Sequence, residues 1–293
     1  MNGKSSKQGI TTVEVAIVIV VLVFSTILMV PLVTRAKEAA RRGGCQGNLK
    51  TIGTALRLYA AEHEGYFPNA HYARGENCDA YGLDFMWQGD QVVPDYLTDA
   101  TVNICPSDPD GAEFLAKGGW RVDRNPNGIF APCAIDARSY TYYSWTFSQE
   151  TYTQPGSDPN SPDIVDAASL MKVINPMAVQ TATALGDAME RAKSREEAQE
   201  IANRDLVIPG ATAFRTRLGI EQTLFPGATD KATSEANQAK ILLQNDTISP
   251  RPDDANHMPA GVNGLYMDGH VEFITFPGKF PAQRAWYILM GEV

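Results

Sequence analysis

Gly9-Ile10-Thr11-Thr12-Val13-Glu14 opens an apolar run that reaches Val33, and its reading decides the fold. Lys4 and Lys7 precede it, and Glu14 is the one ionisable residue inside it. About 20 predominantly apolar residues suffice to cross a bilayer as a helix, so the run qualifies. A carboxylate at membrane depth is expensive and marks a functional position by default. Were the chain cut after Gly9, Ile10 would carry a new α-amine one helical turn from Glu14 and on the same face. Amine and carboxylate are each costly in lipid alone and tolerable as a pair. The pair can also form between two chains, which favours staggered packing of identical helices. The plainer alternative is an uncleaved single-pass anchor with an incidental Glu.

The 293-residue chain has a formal net charge of -9 and a pI near 5.0. Beyond the apolar run it retains enough length for one substantial domain, with room for an insertion. The acidic balance argues against a nucleic-acid partner, which needs a basic stripe. Cys45, Cys78, Cys105 and Cys133 include no C-x-x-C pair, which argues against a zinc ribbon. An even count permits two disulfides in three pairings, with four free thiols as the alternative. Cys45–Cys105 with Cys78–Cys133 is the pairing held as an expectation. Charge leaves the topology divided. Lys4 and Lys7 favour a cytoplasmic N-terminus, whereas Arg35, Lys37, Arg41 and Arg42 follow the run on the side where positives are disfavoured, although long domains translocate largely regardless of charge.

Past Val33 the helix pattern continues. Leu49, Ile52, Leu56, Tyr59 and Ala60 share one face, and Gly65 is placed to end the helix, with Pro68 beyond. Residues 69–100 read as loop. Strands are expected at 102–105 and 139–147, the latter rich in aromatic and β-branched residues. The Pro/Gly/Ser/Asp-rich stretch 154–163 opens an insertion reaching about residue 250, with helices at 178–204 and 232–243. Near the C-terminus, strands 262–267 and 270–275 flank Asp268-Gly269, a two-residue type I′ hairpin signature. That turn sets Tyr266 opposite Val271, sends Val262 and Phe273 to the core, and sends His270 and Glu272 to the other face.

Two clusters invite chemistry. Asp108, Asp110 and Glu113 could supply oxygen ligands to Ca²⁺, although Asp and Gly at this density also make a turn. His257, Asp268 and His270 form a permissible metal set, but the hairpin already accounts for Asp268. No G-x-S-x-G elbow, H-E-x-x-H or P-loop occurs. No enzyme activity and no cofactor are therefore expected.

Lys7-Gln8-Gly9, Ile10, Thr11-x-Val13-Glu14-Val15 and the apolar run resemble the class III signal of type IV pilins and type II secretion pseudopilins. Ile10 stands where Phe is usual and Thr12 where Leu is commoner, while Pro31 is typical of such spines. Cys45-Gln-Gly-Asn48-Leu49-Lys50-x-Ile52-Gly53-x-Ala55-Leu56-x-x-Tyr59 with Gly65-Tyr66-Phe67-Pro68 resembles a bacterial pilin-like group, so the resemblance covers Gly9 to Pro68. Cys105-Pro-Ser-Asp108, Arg217 to Gln222 and 232–243 resemble further segments of that group. His257…Asn263…Asp268-Gly269-His270 resembles its C-terminal motif, with ten residues between His257 and Asp268 instead of the usual nine.

The resemblance implies an α+β pilin-like fold. A leader spans 1–9, a spine helix 10–64 with 10–33 transmembrane, and a globular domain 65–293 built on an antiparallel sheet. It implies cleavage by a prepilin peptidase between Gly9 and Ile10, N-methylation of Ile10, and Glu14 neutralising a neighbour's amine. The implied protein is a structural filament subunit, single-pass in the inner membrane with its C-terminal domain extracytoplasmic. Its implied partners are like subunits, the peptidase, an assembly platform, an assembly ATPase and membrane lipid. Major pseudopilins often bind calcium, which bears on Asp108, Asp110 and Glu113. A membrane-anchored extracytoplasmic binding protein or enzyme sorted by a pilin-type signal is the competing class.

Overall fold

The computed structural model describes residues 11–227, 230–248 and 261–291. Gly9, Ile10 and His257 lie outside these. The chain divides into two compact units, residues 1–41 and 42–293. Helix α1 runs from Thr12 to Glu62, 51 residues, close to the expected 10–64. In the first unit its apolar side chains face outward, Phe24 being 64% exposed and Val20 66%. A contiguous apolar surface of this kind marks an interaction with membrane or protein. The helix is long and apolar enough to cross a membrane.

In the second unit the expected stripe is the buried one. Cys45, Leu49, Ile52, Leu56 and Ala60 are fully buried and Tyr59 nearly so. The first five join Tyr140, Tyr142, Leu243 and Leu265 in the main core. One contact fixes how closely helix and sheet approach: a Cβ on Gly53 would lie 2.7 Å from Leu265 Cδ1. The helix ends as expected at Gly65 (φ +85°), whose N–H donates to Ala60 O.

Next come β1 (Ala70–Arg74) and β2 (Ala80–Trp87), an antiparallel pair with bulges, where the sequence reads as loop. Buried Gln88 explains the concealment. Its Oε1 accepts from Tyr72 N and Ala73 N and its Nε2 donates to Ala73 O, so a side chain satisfies backbone groups of this edge. The expected strand 102–105 is instead a 3₁₀ turn, Ala100–Asn103, capped by Asp99 on Thr101 N. The aromatic segment 139–147 contributes only β3 (Tyr140–Tyr142).

The helix expected over 178–204 is two helices, α2 (Pro176–Glu190) and α3 (Arg195–Ala202), because Ser194 caps a new start at Glu197 N. A small hairpin follows, β4 (Leu206–Ile208) and β5 (Ala211–Ala213). Helix α4 covers Lys231–Gln238, and residues 242–243, expected to continue it, open strand β6 (Leu242–Asp246). With β7 (Gly261–Tyr266), β8 (Val271–Thr275) and β3 it forms an antiparallel sheet of order β3-β6-β7-β8. The end of the supposed insertion is thus a central strand. The chain closes with α5 (Arg284–Gly291).

The β7–β8 hairpin is where expected, but its register differs by one. Leu265 pairs with Val271 and Asn263 with Phe273, and Tyr266 N donates to His270 O. The loop therefore has three residues, Met267-Asp268-Gly269, with Gly269 at φ +91°, the left-handed position such loops require. A one-residue slip exchanges faces. Ile274, not Phe273, joins Val262 in a second core, with Tyr266, Tyr143, Tyr152 and Trp286.

Candidate functional site

At the start of α1 the Glu14 carboxylate accepts from Thr11 N (2.8 Å) and Thr11 Oγ1 (2.9 Å), and Glu14 N donates to Thr11 Oγ1 (3.3 Å). Thr11 is the N-cap and Glu14 the third helical residue, a capping box. The carboxylate thus has a local partner within its own chain. This pattern is readable in the sequence as Thr-x-x-Glu.

The C-terminal motif is a clamp between α1 and the sheet. Asn263, fully buried on β7, donates from N and Nδ2 to Asp246 Oδ2 at 2.7 and 2.8 Å. Its Oδ1 accepts from Gln46 Nε2 of α1 at 2.9 Å. About three helical turns further along α1, Arg57 donates to Asp268 O at the hairpin loop. Asp268 Oδ1 accepts from His270 N (3.1 Å) and lies 2.6 Å from His270 Nδ1. His270 stacks on Tyr266, ring centroids 4.4 Å apart. Asp268 and His270 thus bond to each other and brace the loop.

The disulfides are Cys45–Cys105 and Cys78–Cys133, the expected pairing. Among the described residues, two groups of three potential ligand side chains converge, Cys45, Cys105, Asp246 and Cys78, Asp90, Cys133. Both contain a disulfide, whose sulfurs are not thiolates and so not metal ligands. Asp108, Asp110 and Glu113 form no such group. Asp108 accepts from Ser139 Oγ (2.5 Å) and Asp110 N (3.0 Å), while Glu113 pairs with Lys117.

Three buried polar centres escaped the sequence. Arg215, 1% exposed, donates to Phe67 O (3.0 Å), Asn69 Oδ1 (3.1 Å) and the Ser144 carbonyl. It pins the Gly65-to-Pro68 corner to the segment after β3, and burial pushes its pKa down. His71 lies 3.5 Å from Asp84 across β1–β2 and 3.0 Å from Cys133 O. Burial would raise the Asp84 carboxyl, but His71 and the Ala137 N–H outweigh it and hold the group below the usual carboxylate range. Glu221, also buried, accepts from Ser234 Oγ and Gln238 Nε2, which likewise overcome burial and lower its pKa. Nothing local in the sequence separates Arg215 from the half-buried Arg217 two residues on.

A long N-terminal helix, apolar and exposed over its first half and core-forming over its second, beside an antiparallel sheet, defines the class. Residues 34–94 match the family described as "Protein of unknown function (DUF1559)". Over 64 residues the chain is 25% identical to the ComG operon protein 3 homolog of Bacillus licheniformis, a stretch covering 22% of this chain and 66% of that relative. No solved structure matches. With the apolar helix, these matches support a pilin-like family for this chain.

Proposed function

We propose that the chain is a structural, non-catalytic subunit of a filament of the type IV pilus or type II secretion kind. A prepilin peptidase cuts it between Gly9 and Ile10, the new amine is methylated, and subunits polymerise through the apolar half of α1. Before assembly it is a single-pass protein of the cytoplasmic (inner) membrane with its domain outside the cytoplasm. The two disulfides support that side, since such bonds persist in oxidising compartments. They weigh against the positive charges at Arg35, Lys37, Arg41 and Arg42. Like subunits, the peptidase, an assembly platform and membrane lipid are its partners.

The observation that carries this reading is Glu14, a lone carboxylate at the head of an exposed apolar helix. In the free subunit Thr11 satisfies it; in the filament the amine of a neighbour's Ile10 replaces or joins Thr11. Glu14→Gln separates these roles, because Gln also completes a capping box but carries no charge. The expected variant is processed normally and is missing from filaments. Wild-type filament yield from Glu14→Gln would show that the charge has no part in assembly.

A further inference from the structure

The second unit contains a half-open cavity of about 400 Å³ between α2, β2 and the end of α5. Phe85, Tyr142, Trp145, Phe147 and Trp286 contribute to its walls. A cavity of about 150 Å³ lined by apolar groups holds benzene, so this volume suits a body of about 15 carbon atoms. Ligand sites commonly have this size and apolar character.

Most of the polar atoms around it are already committed. Trp145 Nε1 donates to Arg204 O (2.8 Å), Trp286 Nε1 to Tyr143 OH (3.2 Å), Tyr142 OH to Pro68 O (2.8 Å) and Tyr152 OH to Gln283 Oε1 (2.5 Å). Ser144 Oγ accepts from Ala70 N, and Thr151 Oγ1 donates to Ser148 O. What the aromatic walls offer a ligand is ring faces and edges. Among the described residues, Asp84 is the only carboxylate in the lining, and ionised it repels an anionic head group. The hydroxyls of Thr181 and Thr183, also in the lining, can meet a single neutral polar end such as an alcohol. On the α2 side, Ala178, Ala182 and Gly186 follow one another at four-residue intervals, where larger side chains would fill the space. A Cβ on Gly186 would meet nothing within 4 Å.

We propose that this cavity binds a neutral apolar molecule of about 15 carbons, such as a long-chain alcohol or an isoprenoid alcohol. The inference is independent of the filament reading, since it concerns the domain alone. The test uses the full-length protein in its membrane and a diazirine-bearing C15 alcohol, with photolabelled peptides located by mass spectrometry. Label is expected on peptides containing Trp145, Leu185 or Trp286, and an excess of unlabelled alcohol should compete it away. Gly186→Leu, which fills the space and raises helix propensity, should cut that label about tenfold or more, the effect of losing 1.4 kcal/mol of binding. Ala184→Leu, on the exposed side of the same helix, should label as wild type, and retention of both disulfides in each variant checks the fold. Label confined to the apolar run of residues 11–33, or undiminished cavity label in Gly186→Leu, would overturn the proposal.

Discussion

Removal of the Cys45–Cys105 bridge tests how the second half of α1 is held in its domain. Both sulfurs are fully buried in the main core beside Leu49 and Ile52. The bridge closes a loop with a sequence separation of 60. In the chain-entropy description a loop of that length loses about 14 cal/mol/K in the unfolded state, or about 4 kcal/mol at room temperature. The double substitution Cys45→Ala/Cys105→Ala should therefore destabilise the domain by about 4 kcal/mol, within the usual range of about 2–5. For a domain of this size that is a drop of about 10 °C in Tm. The assay is urea unfolding of the full-length protein in detergent, followed by tryptophan fluorescence, with midpoint and slope fitted together. Cys78→Ala/Cys133→Ala, which opens a loop of separation 55, provides a comparison of nearly equal entropic weight. A loss below about 1 kcal/mol for the first pair, with the second pair costing its full amount, would refute the idea that the bridge holds the helix, leaving packing alone responsible.

Arg215→Ala removes the donors to Phe67 O, Asn69 Oδ1 and the Ser144 carbonyl, and should cost about 1–3 kcal/mol for each buried acceptor left unpaired; a total loss under about 1 kcal/mol in urea unfolding would contradict the role given to it. Asp84 sets an acid limb. Its folded pKa lies below the ordinary carboxylate range, so its contribution is complete above about pH 4 and is lost as pH falls through the depressed folded value. Asp84→Asn should flatten the stability profile in that acid window while changing its shape little at neutral pH, as measured by urea midpoints across pH.

The spine was legible because its two halves carry two patterns that need no tertiary knowledge, an unbroken apolar run and then the Leu49, Ile52, Leu56 stripe. The hairpin was legible in place but not in register. Asp-Gly serves a two-residue turn and also a three-residue loop with Gly269 left-handed, and only pairing partners decide between them. Strand β6 stayed hidden because it ends Gln244-Asn245-Asp246, a polar triplet that reads as surface until Asn263 and the sheet supply its partners. Strands β1 and β2 were hidden by Gln88, whose side chain replaces backbone bonds that a regular strand pattern would advertise. The break between α2 and α3 was available in Ser194, a cap followed three residues later by Glu197. The cavity had no local signature, because its walls come from segments spread between Ala70 and Met290.

Mass spectrometry of the mature N-terminal peptide from cell-surface or membrane fractions tests the central claim most directly. The account predicts a chain that begins at Ile10, with its α-amine methylated. A mature chain that still carries residues 1–9 would contradict it, leaving a tethered domain with no free amine for Glu14 to meet.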